Sequence, residues 1–193
     1  MPKCLDECKS NKKVSMEPKG KLLTSLDLCC IFAAQENTYM TTDDMKQIQK
    51  ISATENYSAI NLGKLADIKD YVLELGTEIK IPGKVFGGQA LGATGGEFSF
   101  QVFAPGQETG FLHTHKNHEE LYFFLSGKGE FQVDGKVFPV EEGSVVRVAP
   151  DGKRSVRNNG TAPLVMLCVQ YRANTFTAED AADGNILAEP VMW

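Results

Sequence analysis

The sequence predicts an all-β protein, an antiparallel barrel of the jelly-roll type with short helices near its two ends. Three observations carry that expectation. After residue 78 the chain breaks into many short apolar runs separated by turn signals. Asp134-Gly135 stands between two alternating runs as a two-residue hairpin signal. Segments with a helical period are few and short. The 193 residues are long enough for one sizeable core with extensions.

Residues 1–39 differ from the rest. They hold Cys4, Cys8, Cys29 and Cys30, a Lys-rich opening and no sustained period. The apolar run from Leu22 to Ala34 is interrupted by Asp27 and is shorter than the roughly twenty residues that span a bilayer, so no membrane helix is expected. Lys19 and Lys21 precede this run as they would in a secretory signal, but Asp27 lies inside it and it starts well within the chain; the expectation is cytoplasmic, with secretion the alternative. The cysteines lack the paired Cys-x2-Cys spacing of zinc sites and read as surface or disordered thiols. Residues 1–39 are thus expected to be a disordered, dispensable extension, with Met40 opening a lead-in over residues 40–77.

In that lead-in, Thr42–Ala53 reads as a short helix with a Thr or Asp cap, since Met45, Ile48 and Ile51 are spaced by threes. A second helical turn is expected over Leu65–Leu73. The barrel follows over residues 78–172. Glu78–Ile81 and Lys84–Phe86 are broken by Pro82-Gly83, and Phe98–Phe103 alternates Phe98, Phe100 and Val102 against Ser99, Gln101 and Phe103. Glu130–Val133 and Lys136–Phe138 flank the hairpin signal; Ser144–Ala149, Ser155–Arg157 and Leu164–Tyr171 complete the strands. The tail, residues 173–193, starts a helix at Thr177-Ala178-Glu179-Asp180 and stops it at Gly184; Trp193 is available to cover the barrel mouth or a partner chain.

Chemistry concentrates in the stretch from Leu112 to Gly127, which holds all three histidines. On a strand, the period of two puts His113 and His115 on one face. Two ionisable rings on an apolar strand carry a desolvation cost unless a metal or a polar pocket satisfies them. Glu120 or Glu119 can supply a third, hard oxygen donor, and two imidazoles with a carboxylate suit Fe(II), Mn, Ni, Co or Zn. His118 falls outside the alternation and reads as an ordinary hydrogen-bonded residue.

This stretch resembles the first motif of the cupins: His-x-His, three or four residues, Glu, six residues, Gly. His113-x-His115, four residues, Glu120, six residues and Gly127 fit it. With Glu119 the closing glycine would be one place off, so the resemblance selects Glu120 and keeps Glu119 as the fallback. The glycine that the family places about five residues before the first His is missing, since Gly106 and Gly110 miss the spacing. The second motif is similar from Gly143 through Pro150 and Gly152 to Arg157, Asn158 and Gly160, with one extra residue in the turn. Aligned back from Asn158, the family's fourth-ligand His is Arg154, which cannot bind a metal because its guanidinium stays protonated.

The resemblance implies a divalent metal held by His113, His115 and Glu120 with open positions for a small polar organic molecule, in dioxygenase- or isomerase-like chemistry. A ligand-binding or sensing module without turnover is the alternative, and a storage or structural protein with vestigial histidines the third reading. It also implies a homodimer formed through barrel edges. Arg154 could clamp a substrate carboxylate or phosphate, neutralise Glu120, or point into solvent. Tyr122 shares the face of Glu120 with Phe124, and on the last strand Met166, Cys168 and Gln170 share a face; Tyr122 and Gln170 are the polar pocket candidates, while Cys168 reads as a small hydrophobe. At 20 basic against 25 acidic residues, with no basic cluster, no nucleic-acid surface is expected.

Overall fold

The structure, a computed structural model, describes residues 46–193. The expectation for residues 1–39 and the start of the Thr42–Ala53 helix lie outside the described residues. The rest of that segment is not helical. It forms β1 (Gln49–Ala53), which pairs antiparallel with β2 (Ser58–Asn61). Every residue of β1 is exposed; of the residues spaced by threes Ile48, just before the strand, packs against the core, while Ile51 falls at the register break between Lys50 and Ser52.

Leu65–Asp70 makes one short 3-10 helix. The chain then extends from Tyr71 into β3 (Val72–Leu75), which pairs with β4 (Ile79–Pro82). The remaining strands are β5 (Lys84–Phe86), β6 (Gly96–Phe103), β7 (His118–Ser126), β8 (Lys128–Val133), β9 (Lys136–Glu141), β10 (Val145–Val148), β11 (Arg154–Arg157) and β12 (Leu164–Arg172). Val133 faces Lys136 across Asp134 (φ 51°) and Gly135 (φ 81°), the two positive-φ positions a type I′ hairpin requires.

Two antiparallel sheets carry the core: five strands in the order β10-β7-β12-β6-β5, and three in the order β11-β8-β9. Alternation turns Phe103, Phe124, Leu164 and Met166 of the first towards Phe131, Val140 and Val156 of the second, and all seven are buried in one cluster. The other face of the large sheet packs Val85, Val102 and Val165 under Ile68 and Tyr71. The all-β class stands, but the two sheets do not close into a barrel. Between β6 and β7 the chain meets β11 only at isolated bridges, Glu108 to Arg157 and His113 to Arg154, because Pro105, Gly106 and Gly110 interrupt any longer ladder there.

The C-terminal segment makes a single helical turn, Ala178–Ala181, with Thr177 and Asp180 forming a reciprocal capping box. Trp193 lies in solvent and covers no strand. No helix among the described residues is long and apolar enough to cross a membrane.

Candidate metal centre

The alternation of β7 separates the two adjacent acids. Glu120, Tyr122 and Phe124 are buried on the inner face, whereas Glu119 turns to the opposite face and accepts a hydrogen bond from Arg147 Nη2. The fallback ligand is therefore on the wrong side of the sheet.

His113 and His115 are not part of β7, which begins at His118; this corrects the expectation of one continuous strand. They sit on an extended segment pinned to β11 and the turn before it. His113 N donates to Arg154 O at 3.4 Å, Arg154 N donates to His113 O at 3.2 Å, and His115 N donates to Pro150 O at 2.9 Å. These bonds keep the segment extended, so both rings still point the same way. His113 Nε2 lies 3.7 Å from Glu120 Oε2 and His115 Nε2 lies 3.2 Å from Oε1. The three side chains each offer a donor atom, all within 4.8 Å of one another. The imidazoles meet edge to face, 5.4 Å between centroids, and His118 continues the row at 6.3 Å from His115.

Arg154 is fully buried, which removes the solvent-facing reading. Its Nε and Nη2 donate to Glu120 Oε2 at 2.9 and 2.7 Å, and its Nη1 donates to the carbonyls of Pro150 and Gly152 at 3.2 and 2.9 Å. These bonds leave little of the guanidinium for a substrate. Tyr122 OH donates to the same Oε2, and Cys168 Sγ lies 3.4 Å from Oε1. Gln170 stands opposite Glu120 in the β7–β12 register and shares its face. The sequence reading missed the carbonyls of Pro150 and Gly152, which hold both His115 and Arg154; the Pro-x-Gly of the second motif was their signal. Asn158 of that motif is structural: its Nδ2 donates to the carbonyls of Phe103 and Ala162, and its Oδ1 accepts from Gly160 N.

The electrostatics follow from this packing. Burial alone would raise the Glu120 pKa, but the adjacent imidazoles of His113 and His115 and the charge of Arg154 drive it far below the usual carboxylate range. Burial lowers the His113 pKa and so favours the neutral ring, the form that can ligate a metal. Burial raises Cys168, with Glu120 adding to the effect, so it remains a thiol.

The residues fit a metal ion. Two ligands about 2.1 Å from one ion lie about 3.0 to 3.4 Å apart at octahedral or tetrahedral angles, close to the 3.2 and 3.7 Å found here. Arg154 and Tyr122 both bind Oε2 and so orient the carboxylate, as outer-shell partners of metal ligands do.

A family model described as the cupin domain matches residues 99–170. A solved cupin structure from Bacteroides fragilis is 31% identical, covering 60% of this chain and 94% of that one, with a TM-score of 0.52. The chain belongs to the cupin superfamily. Among curated proteins, an uncharacterized protein of Methanocaldococcus jannaschii is 35% identical over 60 residues, which is 31% of this cupin and 48% of the relative. An oxalate-binding protein of Thermotoga maritima is 33% identical over 72 residues, 37% and 59% of the two chains. This cupin thus spans about half the length of these curated relatives.

Proposed function

We propose that this cupin domain binds one divalent metal ion through His113, His115 and Glu120 and acts there on a small polar organic molecule, in dioxygenase- or isomerase-like chemistry. The observation behind this reading is the convergence of two imidazole nitrogens on one carboxylate whose Oε2 is fixed by Arg154. A divalent ion held there supplies Lewis-acid polarisation and open coordination positions for a ligand. Arg154 and Tyr122 hold the carboxylate ionised and oriented, and the neutral His113 ring keeps a lone pair available. The similarity to an oxalate-binding protein supports a ligand that presents oxygen donors.

A binding or sensing module without turnover is the second reading, and one observation favours it. Tyr122 directs its only hydroxyl proton, and Cys168 its only thiol proton, at Glu120, which leaves neither as an acid for a substrate.

Elemental analysis of the purified full chain, before and after incubation with Fe(II), Mn(II) and Zn(II), tests the proposal. We expect stoichiometric uptake that His115→Ala abolishes while the fold is retained. A chain that holds no metal and takes none up would overturn it. Turnover of a substrate by the loaded protein then separates the enzyme from the binding module.

A further inference from the structure

Lys84 is a cation that the reading of the metal centre does not use. It opens β5 and pairs with Gln101, which in turn pairs with Met166 on β12, itself opposite Phe124 on β7. Cross-strand partners share a face, so Lys84 projects from the inner face of the large sheet, the face of Glu120. Its mount is rigid. Gly83 has φ +72°, a Cβ there would lie 2.6 Å from Val102 O, and its backbone bonds both Tyr71 O and Val102 N.

Among the described residues no carboxylate lies within ion-pair distance of Lys84; the other described lysines without one, such as Lys50, Lys116 and Lys153, are exposed, whereas Lys84 is partly buried. Its Nζ stands instead over the Phe86 ring, 5.3 Å from the centroid. Glu97, the acid at the end of β6 on this face, already accepts hydrogen bonds from the amides of Gly88 and Phe98. Ser99 and Gln101 are buried beside Lys84 and neutral. Burial lowers the Lys84 pKa, with Glu120 acting in the opposite sense, as expected of a cation short of a partner.

Charge balance gives the same result. Glu120 is already matched by Arg154, so a divalent ion at His113, His115 and Glu120 together with Lys84 would leave an excess of positive charge on one inner face, where Glu97 is the further carboxylate among the described residues. Three inter-strand spacings separate β5 from β7, about 14 Å between backbones. Lys84 and Glu120 reach inwards from the two sides, and the residues between them, Ser99 and Cys168, are small.

We propose that Lys84 anchors an anionic group of the ligand, so that the molecule taken by this site is a short organic acid, held at one end by Lys84 and at the other by the metal centre. This rests on the metal reading above. Calorimetric titration of the full chain, with and without Zn(II), tests it using malonate and succinate against the neutral succinamide. Lys84→Met keeps the stem and removes the charge; Lys84→Arg keeps the charge. We expect a dicarboxylate to bind at least about tenfold more tightly than the diamide, the preference to vanish in Lys84→Met and persist in Lys84→Arg, and zinc uptake to be equal in all three proteins. Removing an unpaired, partly buried cation should also leave the thermal midpoint unchanged or raised.

Equal binding of acid and amide, or a preference that survives in folded Lys84→Met, would overturn the anchor, as would a lowered midpoint that marked Lys84 as structural. Failure to take up zinc would count against the metal centre alone; a Lys84-dependent acid preference in that protein would still support the anchor.

Discussion

Arg154 and Glu120 join the two sheets by a fork, with Nε and Nη2 on the same carboxylate oxygen at 2.9 and 2.7 Å and both side chains out of solvent. Glu120 belongs to the five-stranded sheet and Arg154 to the three-stranded one. Where the cupin motif leads one to expect a fourth ligand, this chain has a cross-sheet ion pair that is complete without a metal.

Removing the arginine should therefore be severe. In the metal-free protein Arg154→Met leaves a buried carboxylate without its main partner, and we expect a loss of about 3 to 5 kcal/mol in urea unfolding. Arg154→Lys should recover only part of this, because an ammonium cannot reproduce the fork or reach the Pro150 and Gly152 carbonyls together with Glu120. A loss below about 1 kcal/mol, the range of exposed pairs, would show that the fork contributes little.

Tyr122→Phe removes one hydrogen bond to the orienting oxygen and leaves the packing against Phe131, 4.8 Å between centroids, intact. The expected result is weaker metal binding by roughly tenfold with a stability change of about 1 kcal/mol. Competition against a colourimetric chelator reads the affinity. Unchanged affinity would mean that Arg154 alone sets the carboxylate.

Much of this arrangement was legible in the sequence, for a physical reason. Alternation assigns Glu120 and Glu119 to opposite faces, and two histidines one residue apart share a direction whenever the backbone is extended, in a ladder or not. The hairpin at Asp134-Gly135 was legible because only a few residue types accept two successive positive φ values. Long-range facts were not. Arg154 meets a partner 34 residues away on another sheet, so nothing local told burial from exposure. The stretch around Ile48 and Ile51 read equally well as helix or strand, and the pairing of Gln49, Lys50, Ser52 and Ala53 with β2 decided the matter. Closure of the barrel depended on whether the segment between β6 and β7 could form a ladder, which a turn-rich sequence does not reveal.

Acid should destabilise the metal-free protein through His113. Burial puts its folded pKa below the ordinary 6.5, so between the two values the unfolded chain binds more protons. Stability then rises with pH in that window and falls as pH drops below 6.5. The slope cannot exceed about 1.4 kcal/mol per pH unit for one group. Thermal midpoints measured from neutrality downward should decline more steeply for the native chain than for His113→Gln. Parallel curves would mean that the ring is not held neutral.

The glycine that closes the first motif should tolerate no side chain. Gly127 has φ +84° at the turn from β7 to β8, and a Cβ there would press on the Pro163 carbonyl oxygen and lie 2.9 Å from Leu164 Cα. Both are backbone atoms at the start of β12, beside the fully buried Leu164, and cannot rotate away. Gly143 is a matched control, with φ +88° and nothing within 4 Å of its Cβ. Gly143→Ala should cost about 1 kcal/mol, the conformational term alone, and Gly127→Ala more than about 2 kcal/mol because β12 must shift as well. That shift moves Cys168 relative to Glu120, so metal uptake should weaken in Gly127→Ala and not in Gly143→Ala. Equal losses in urea unfolding would show that the backbone conformation, and not the close approach of β12, is what requires a glycine at the end of the motif.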